Sequence, residues 1–280
     1  MTFDPQRLGE SRADLAQTLK TMRKRAGWTQ TRLAHRCNMS QTKVSNIESG
    51  KLPPALVDVE LILRALDAPT SLVSEVMALA RMANTEWKDV WSSRGRGLDK
   101  RQNELAGFEK SSTELRYFLP TMVTGLLATP EYVRASIADV PGDQSKTIAK
   151  TIERQAVLYD DSKRFTFILT EQAARWPLVP PAALAVQMDR LASLTRLSNV
   201  RIGVIPIGPV VMPGPLNVFT IYDDRIATVE ISTGVMVFRD RRDVSAYLDE
   251  FAAFERHALF GEQARERLNE WSVAFTRQRE

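Results

Sequence analysis

Gln41, Thr42, Lys43 and Asn46 fall within six residues of one another, in a segment that Ser40 opens and Gly50 closes. An amide, a hydroxyl, an ammonium and a second amide are the groups that reach base edges and phosphates in a major groove. They can do so only from a short, rigid helix. Ser40 supplies its N-cap, Val44 and Ile47 its inner face and Gly50 its stop. A second short helix precedes it, capped by Thr29, with Leu33 and Ala34 inward and Asn38-Met39 breaking it.

Three longer helices must hold this pair. Residues 12–26 carry Leu15, Leu19 and Met22 on one stripe. They end in Arg23-Lys24-Arg25, which suits the negative end of a helix dipole. Pro53-Pro54 enters a fourth helix with Val59, Ile62, Leu63 and Leu66 inward. Pro69 opens a fifth with Leu72, Val76, Leu79 and Ala83 inward.

Thr29-Gln30, Leu33-Ala34, Ser40, Val44-Ser45, Ile47-Glu48 and Gly50-Lys51 together resemble the helix-turn-helix of Xre-type (lambda-repressor-like) transcription regulators. The resemblance covers residues 11–84. It implies an all-α five-helix N-terminal domain that binds double-stranded DNA, reading a palindromic operator as a homodimer. Gln41, Thr42 and Asn46 are the expected base readers. Gln30, Lys43, Ser49 and Lys51 are the expected phosphate contacts. By the same resemblance Arg23 pairs with Glu48, tying the first helix to the reading helix.

Charge agrees with that placement. Residues 1–53 hold ten Lys and Arg against four Asp and Glu, a surplus of six. The whole chain of 280 residues is only +4, so the remainder is −2. The basic surface therefore lies on the motif, where a polyanion needs it. Cys37 is the one cysteine, which excludes an intrachain disulfide and reads as a small core residue. No apolar run is long enough to span a bilayer and no leader-like start is present, so a cytoplasmic protein without membrane contact is expected.

The sequence offers little for catalysis. His35 and His257 are the only histidines, and the first lies in the motif, so a multi-histidine metal site or a histidine triad is not available. Gly95-Arg-Gly97 is not set between a strand and a helix. Glu171 and Glu230 both lie near strands and could pair for acid–base work; ion pairs to Arg154, Arg164 or Arg175, or plain exposure, are the commoner fates. The expectation is a non-enzyme without cofactor or metal.

Domain boundaries follow composition. Residues 1–84 form the helix-turn-helix domain. Residues 85–103 are rich in Ser, Gly and charge between Trp87 and Trp91, and read as a linker, with Arg94 and Arg96 able to touch phosphate. Residues 104–280 read as an α+β domain with a small, largely antiparallel sheet. Its expected helices cover 104–118, 145–159, 182–197, 244–260 and 263–277, with a further one from Glu131. Its expected strands cover 164–170, 200–206, 217–222 and 226–232, the last two a hairpin across Asp223-Asp224-Arg225 that 235–238 extends.

This half also carries a resemblance. Gly125–Arg134, Arg154-Gln155, Phe165–Glu171, Val204-Ile-Pro206 and Val229-Glu230 resemble the C-terminal domain attached to many actinobacterial Xre-type regulators, WhiJ-like ones among them, although the usual Pro-Gly-Leu-Leu is Thr-Gly-Leu-Leu here. Such regulators are often encoded beside a small partner protein, in an antitoxin-like layout. Three roles follow: a repressor or autoregulator, an interaction protein for a small partner, or a sensor of a small molecule.

Overall fold

A computed structural model describes residues 8–89, 98–231 and 234–278. The chain divides into two units. The first comprises Met1–Lys88 and Met236–Asp240; the second comprises Asp89–Val235 and Arg241–Glu280.

The first unit holds α1 (Leu8–Arg25), α2 (Gln30–Arg36), α3 (Gln41–Glu48), α4 (Leu56–Ala65) and α5 (Thr70–Asn84), followed by strand β1 (Thr85–Asp89). One core joins the five helices: Leu15 and Leu19, Leu33 and Cys37, Val44 and Ile47, Val59 and Ile62, Val76 and Ala80. Thr29 and Ser40 cap their helices as their side chains accept from Arg32 N and Lys43 N, both at 3.1 Å. Asn38 turns the chain between them at φ 52° and Gly50 ends α3 at φ 72°. Both are left-handed positions; asparagine and glycine reach them at least cost.

The expected linker is corrected at its two ends. Thr85–Asp89 is a strand, and the next helix begins at Leu98. Arg94, Arg96 and the Gly95-Arg-Gly97 run lie outside the described residues. The first unit also recruits a distant piece of chain. β1 is hydrogen-bonded to the strand that contains Met236–Phe238. Two residues on, Asp240 Oδ2 accepts from Leu56 N at 3.0 Å, serving the first helical N–H of α4.

The second unit holds α6 (Leu98–Ser111), β2 (Glu114–Leu119), α7 (Pro130–Ser136), α8 (Ser145–Arg154) and a 3-10 turn at Gln155–Tyr159. β3 (Arg164–Thr170), α9 (Glu171–Arg175), α10 (Pro181–Leu194), β4 (Val200–Ile205), β5 (Val218–Tyr222) and β6 (Ile226–Ile231) follow. The strand Gly234–Phe238 is β7; α11 (Arg241–Glu255) and α12 (Gly261–Arg277) close the chain. Within this unit the sheet runs β6-β5-β2-β3-β4.

An α+β domain is what forms, but its sheet is mixed. β2, β3 and β4 are parallel neighbours, with Leu115 opposite Phe165 and Phe165 opposite Val200. β5 and β6 add antiparallel pairs, Phe118 opposite Phe219 and Thr220 opposite Thr228. The physical reason is the helices between strands: parallel pairing needs a long crossover, which α7–α8 and α9–α10 provide. The β5–β6 hairpin turns through Asp223 at φ 53°, as its acidic turn residues predict.

β2 is the main element the sequence reading missed, as the tail of a helix over 104–118. Helix α6 stops at Ser111, and Glu114–Leu119 becomes the central strand. Tyr117 stacks on Phe167 (4.7 Å), facing Leu184, Met188, Leu268 and Trp271 of α10 and α12 across one core. On the other sheet face Phe118 stacks on Phe254 of α11 at 3.9 Å. Helices thus cover both faces, which explains why β3 is buried from Phe165 to Leu169.

Candidate nucleic-acid interface

The site is built on α3. Its inner residues Val44 and Ile47 are buried, so Gln41 and Thr42 face outward and are exposed, with Asn46 half-buried. Ser49 and Lys51 are exposed beyond its end, and Ser49 Oγ donates to Asn46 O at 3.2 Å.

A chain of hydrogen bonds runs beneath this face. Arg23 donates to Glu48 through two atoms, Nε to Oε1 at 2.5 Å and Nη2 to Oε2 at 2.8 Å. Its Nη1 donates to Trp28 O, so α1 is fixed to both α3 and the entry to α2. Gln30 Nε2 donates to Glu48 Oε2 at 2.9 Å. Gln41 Nε2 then donates to Gln30 Oε1 at 3.0 Å. Both members of the ion pair are buried, with side chains 9% and 3% exposed. Burial pushes the Glu48 carboxyl up, but hydrogen bonds from Arg23 and Gln30 and the charges of Arg23 and Lys20 outweigh it and hold it below the usual range.

Lys43 differs from a free phosphate cation. Its Nζ donates to Asp58 Oδ1 at 2.7 Å, and Asp58 Oδ2 accepts from Ala55 N at 3.2 Å. A phosphate contact from Lys43 therefore requires it to exchange partners. The sequence signal for Asp58 is its position three residues after Ala55, since an acid there serves the start of a helix. Arg32 carries no such signal. It is exposed and lies over the Trp28 ring at 4.5 Å, which places a restrained cation on α2.

The carboxylates weighed for catalysis do not meet. Glu171 opens α9, pairs with Arg175 and accepts from Ile207 N at 3.0 Å. Glu230 sits on β6, opposite Val218. β6 and β3 are three strand spacings apart, about 14 Å at ~4.8 Å each.

The residues behind the second resemblance do structural work. Gln155 donates to Gly125 O at 2.7 Å and Ala128 O at 2.9 Å. Arg190 donates to Leu127 O and Gln155 Oε1, while Gln187 bridges Leu127 O and Thr129 N. These side chains satisfy the backbone of the loop 125–130, which enters α7 through the Thr129 cap.

A family model described as a domain of unknown function, DUF5753, matches residues 102–270. The chain belongs to the DUF5753 family. Its N-terminal unit is a helix-turn-helix domain, matched over residues 14–76. No curated protein matches the chain. Among solved structures it is similar to Nuc of Salmonella typhimurium, a phospholipase D family member, at 8% identity and TM-score 0.35, covering 57% of this chain and 90% of that one. NucT from Helicobacter pylori gives 10% and 0.37, covering 62% and 97%. TrmBL2, an archaeal chromatin protein described for its mode of DNA binding, gives 10% and 0.33, covering 72% and 64%. At these scores the likeness carries no argument. No described helix is long and apolar enough to cross a membrane.

Proposed function

We propose that this chain is a sequence-specific DNA-binding transcription regulator that inserts α3 into the major groove. It binds a palindromic operator as a homodimer, because one short helix contacts too few bases, and two such helices about 34 Å apart match one helical turn. Gln41, Thr42 and Asn46 read bases. Gln30, Ser49 and Lys51 contact phosphates, as does Lys43 once it leaves Asp58. The DUF5753 half receives a signal, and the output is repression, including of its own gene. Nothing in this reading is catalytic.

The observation that carries it is the fixed Gln41. Exposed on α3 and held through Gln30 to a buried ion pair, it reaches DNA with its rotamer already chosen, which lowers the entropy cost of readout. The test is the genomic DNA that the purified chain retains at near-physiological salt, repeated with Gln41→Ala and Asn46→Ala. Retention of a discrete inverted repeat, lost in the variants, is the expected result. Binding that is sequence-blind and lost with modest salt overturns it.

A second reading rests on the loop 206–217, where Ile207, Val210, Met212 and Leu216 are 73%, 84%, 68% and 84% exposed. Apolar side chains so far out of the core suit a protein partner, and favour an antitoxin-like chain that binds a small neighbour-encoded protein. Co-purification with the product of the adjacent short gene, abolished by Val210→Asp with Leu216→Asp, supports it; no co-purification sinks it.

A further inference from the structure

The second unit holds a cleft of 370 Å3 between α6 and α8 whose lining includes Glu109, Arg154 and Gln102. Its lining includes a buried carboxylate beside a guanidinium. Glu109 is 1% exposed, and the Arg154 side chain is 7% exposed. Glu109 Oε2 lies 3.2 Å from Arg154 Nε, yet at this angle neither atom makes a hydrogen bond. The other carboxylate oxygen is taken by the Tyr117 hydroxyl at 3.2 Å. Arg154 Nη1 donates to the amide oxygen of Gln102, a neutral partner that a stronger acceptor can displace. A buried cation and anion, side by side, each keep hydrogen-bonding capacity that the described fold does not use.

The rest of the lining narrows the ligand. Lys110, Lys150, Arg154 and Lys163 stand against Glu109, Glu153 and Asp160, close to balance. Lys163 is occupied, since its Nζ donates to Lys110 O and Ser112 O. A multiply charged anion or a polyamine would meet as much repulsion as attraction there. A zwitterion would not. An α-amino acid carries its ammonium and carboxylate on one carbon, so they can address Glu109 and Arg154 together. Ala106 and Val157 leave an apolar wall for a side chain.

We propose that this cleft binds a small zwitterion of the free amino acid type, the ammonium on Glu109 and the carboxylate on Arg154 in place of Gln102. The site deepens the regulator reading by naming the class of signal, but it stands without it, because its test uses no DNA.

The full chain is titrated at pH 8, where Glu109 is ionised, with the free L-amino acids, and each hit with its deaminated acid and its decarboxylated amine, read by thermal shift and calorimetry. At least one amino acid raises the midpoint, and both single-charge analogues bind about tenfold more weakly or worse. Glu109→Gln removes the response. Ala106→Phe, which fills the cleft and spares both charges, removes it too while the circular dichroism spectrum is unchanged. Equal binding of the acid or the amine alone, binding that survives Ala106→Phe, or no response to any amino acid overturns the proposal. Sequence-blind DNA binding beside a positive titration would overturn the regulator reading and leave this site standing.

Discussion

The Gln30 side chain accepts from Gln41 at 3.0 Å through its oxygen and donates to Glu48 at 2.9 Å through its nitrogen. One amide thus joins the first residue of α3 to a buried ion pair. In the proposed complex Gln30→Ala leaves Gln41 exposed but no longer oriented. Operator affinity should fall by roughly 1–3 kcal/mol, and discrimination at the base pair read by Gln41 should relax. Lys51→Ala should instead weaken all sequences about equally. Binding to the operator and to single-base variants of it checks both. If Gln30→Ala leaves discrimination intact, the hydrogen bond does not position Gln41.

Arg23 and Glu48 are a stability element first. Removing one partner of a buried ion pair strands the other charge and typically costs about 3–5 kcal/mol. Glu48→Ala should cost that much in the first unit and also release Gln30. Arg23→Met with Glu48→Leu, which removes both charges, should cost less than Glu48→Ala alone. Urea denaturation of the three proteins gives the comparison, and equal costs for the single and double changes would contradict it.

Two carboxylates give opposite pH dependences. Glu48 lies below its ordinary value when folded, so its contribution is present above about pH 4.5 and lost as pH falls through the folded value. Glu109 is pushed up to about 7 by burial, against the charge of Arg154, the Tyr117 hydrogen bond and the charge of Lys163. Tyr222 also faces it, and its own hydroxyl is pushed higher still by burial and by Glu109. The folded chain therefore holds the Glu109 proton where the unfolded chain has lost it. Stability from this group is full below about pH 4.5 and is lost as pH rises through about 7, a swing of roughly 3 kcal/mol. Unfolding of wild type and Glu109→Gln between pH 4.5 and 8 should show the wild type losing that amount relative to the variant. A pH-independent gap would mean that Arg154 keeps Glu109 ionised throughout.

Asp240 lies 184 positions from the backbone it caps, Leu56 N at the start of α4. Asp240→Ala should cost about 0.5–2 kcal/mol, the usual range for a lost helix cap, and the loss should be felt in the helix-turn-helix unit. Hydrogen exchange should speed up at the first turn of α4. Unchanged protection there would show that the cap contributes nothing.

Individual residues show where sequence reading succeeds. Thr29, Ser40, Asn38 and Gly50 act through chain neighbours, so their caps and turns were legible from type and spacing alone. The apolar stripes of α1, α4 and α5 were legible for the same reason, because a helix interior repeats locally. Glu114–Leu119 was not. Its apolar residues continue a helical pattern from α6, and only pairing with β3 on one side and β5 on the other makes it a strand. The hairpin across Asp223 is a local signal and favours a largely antiparallel reading, whereas the parallel order β2-β3-β4 rests on pairings 50 and 35 residues apart along the chain.

The sequence by itself determined the helix-turn-helix, the exposed residues of α3 and the concentration of positive charge around them. Caps, hydrophobic period and charge all act over a few residues, so the chain states them directly. The tertiary structure alone decided that Lys43 is held by Asp58, that Gln30 bridges Glu48 and Gln41, that Glu171 and Glu230 stand apart, and that Glu109 and Arg154 share one cleft. Each of these depends on groups brought together from different elements. Burial then sets their energies, by removing the water that would otherwise have satisfied them separately.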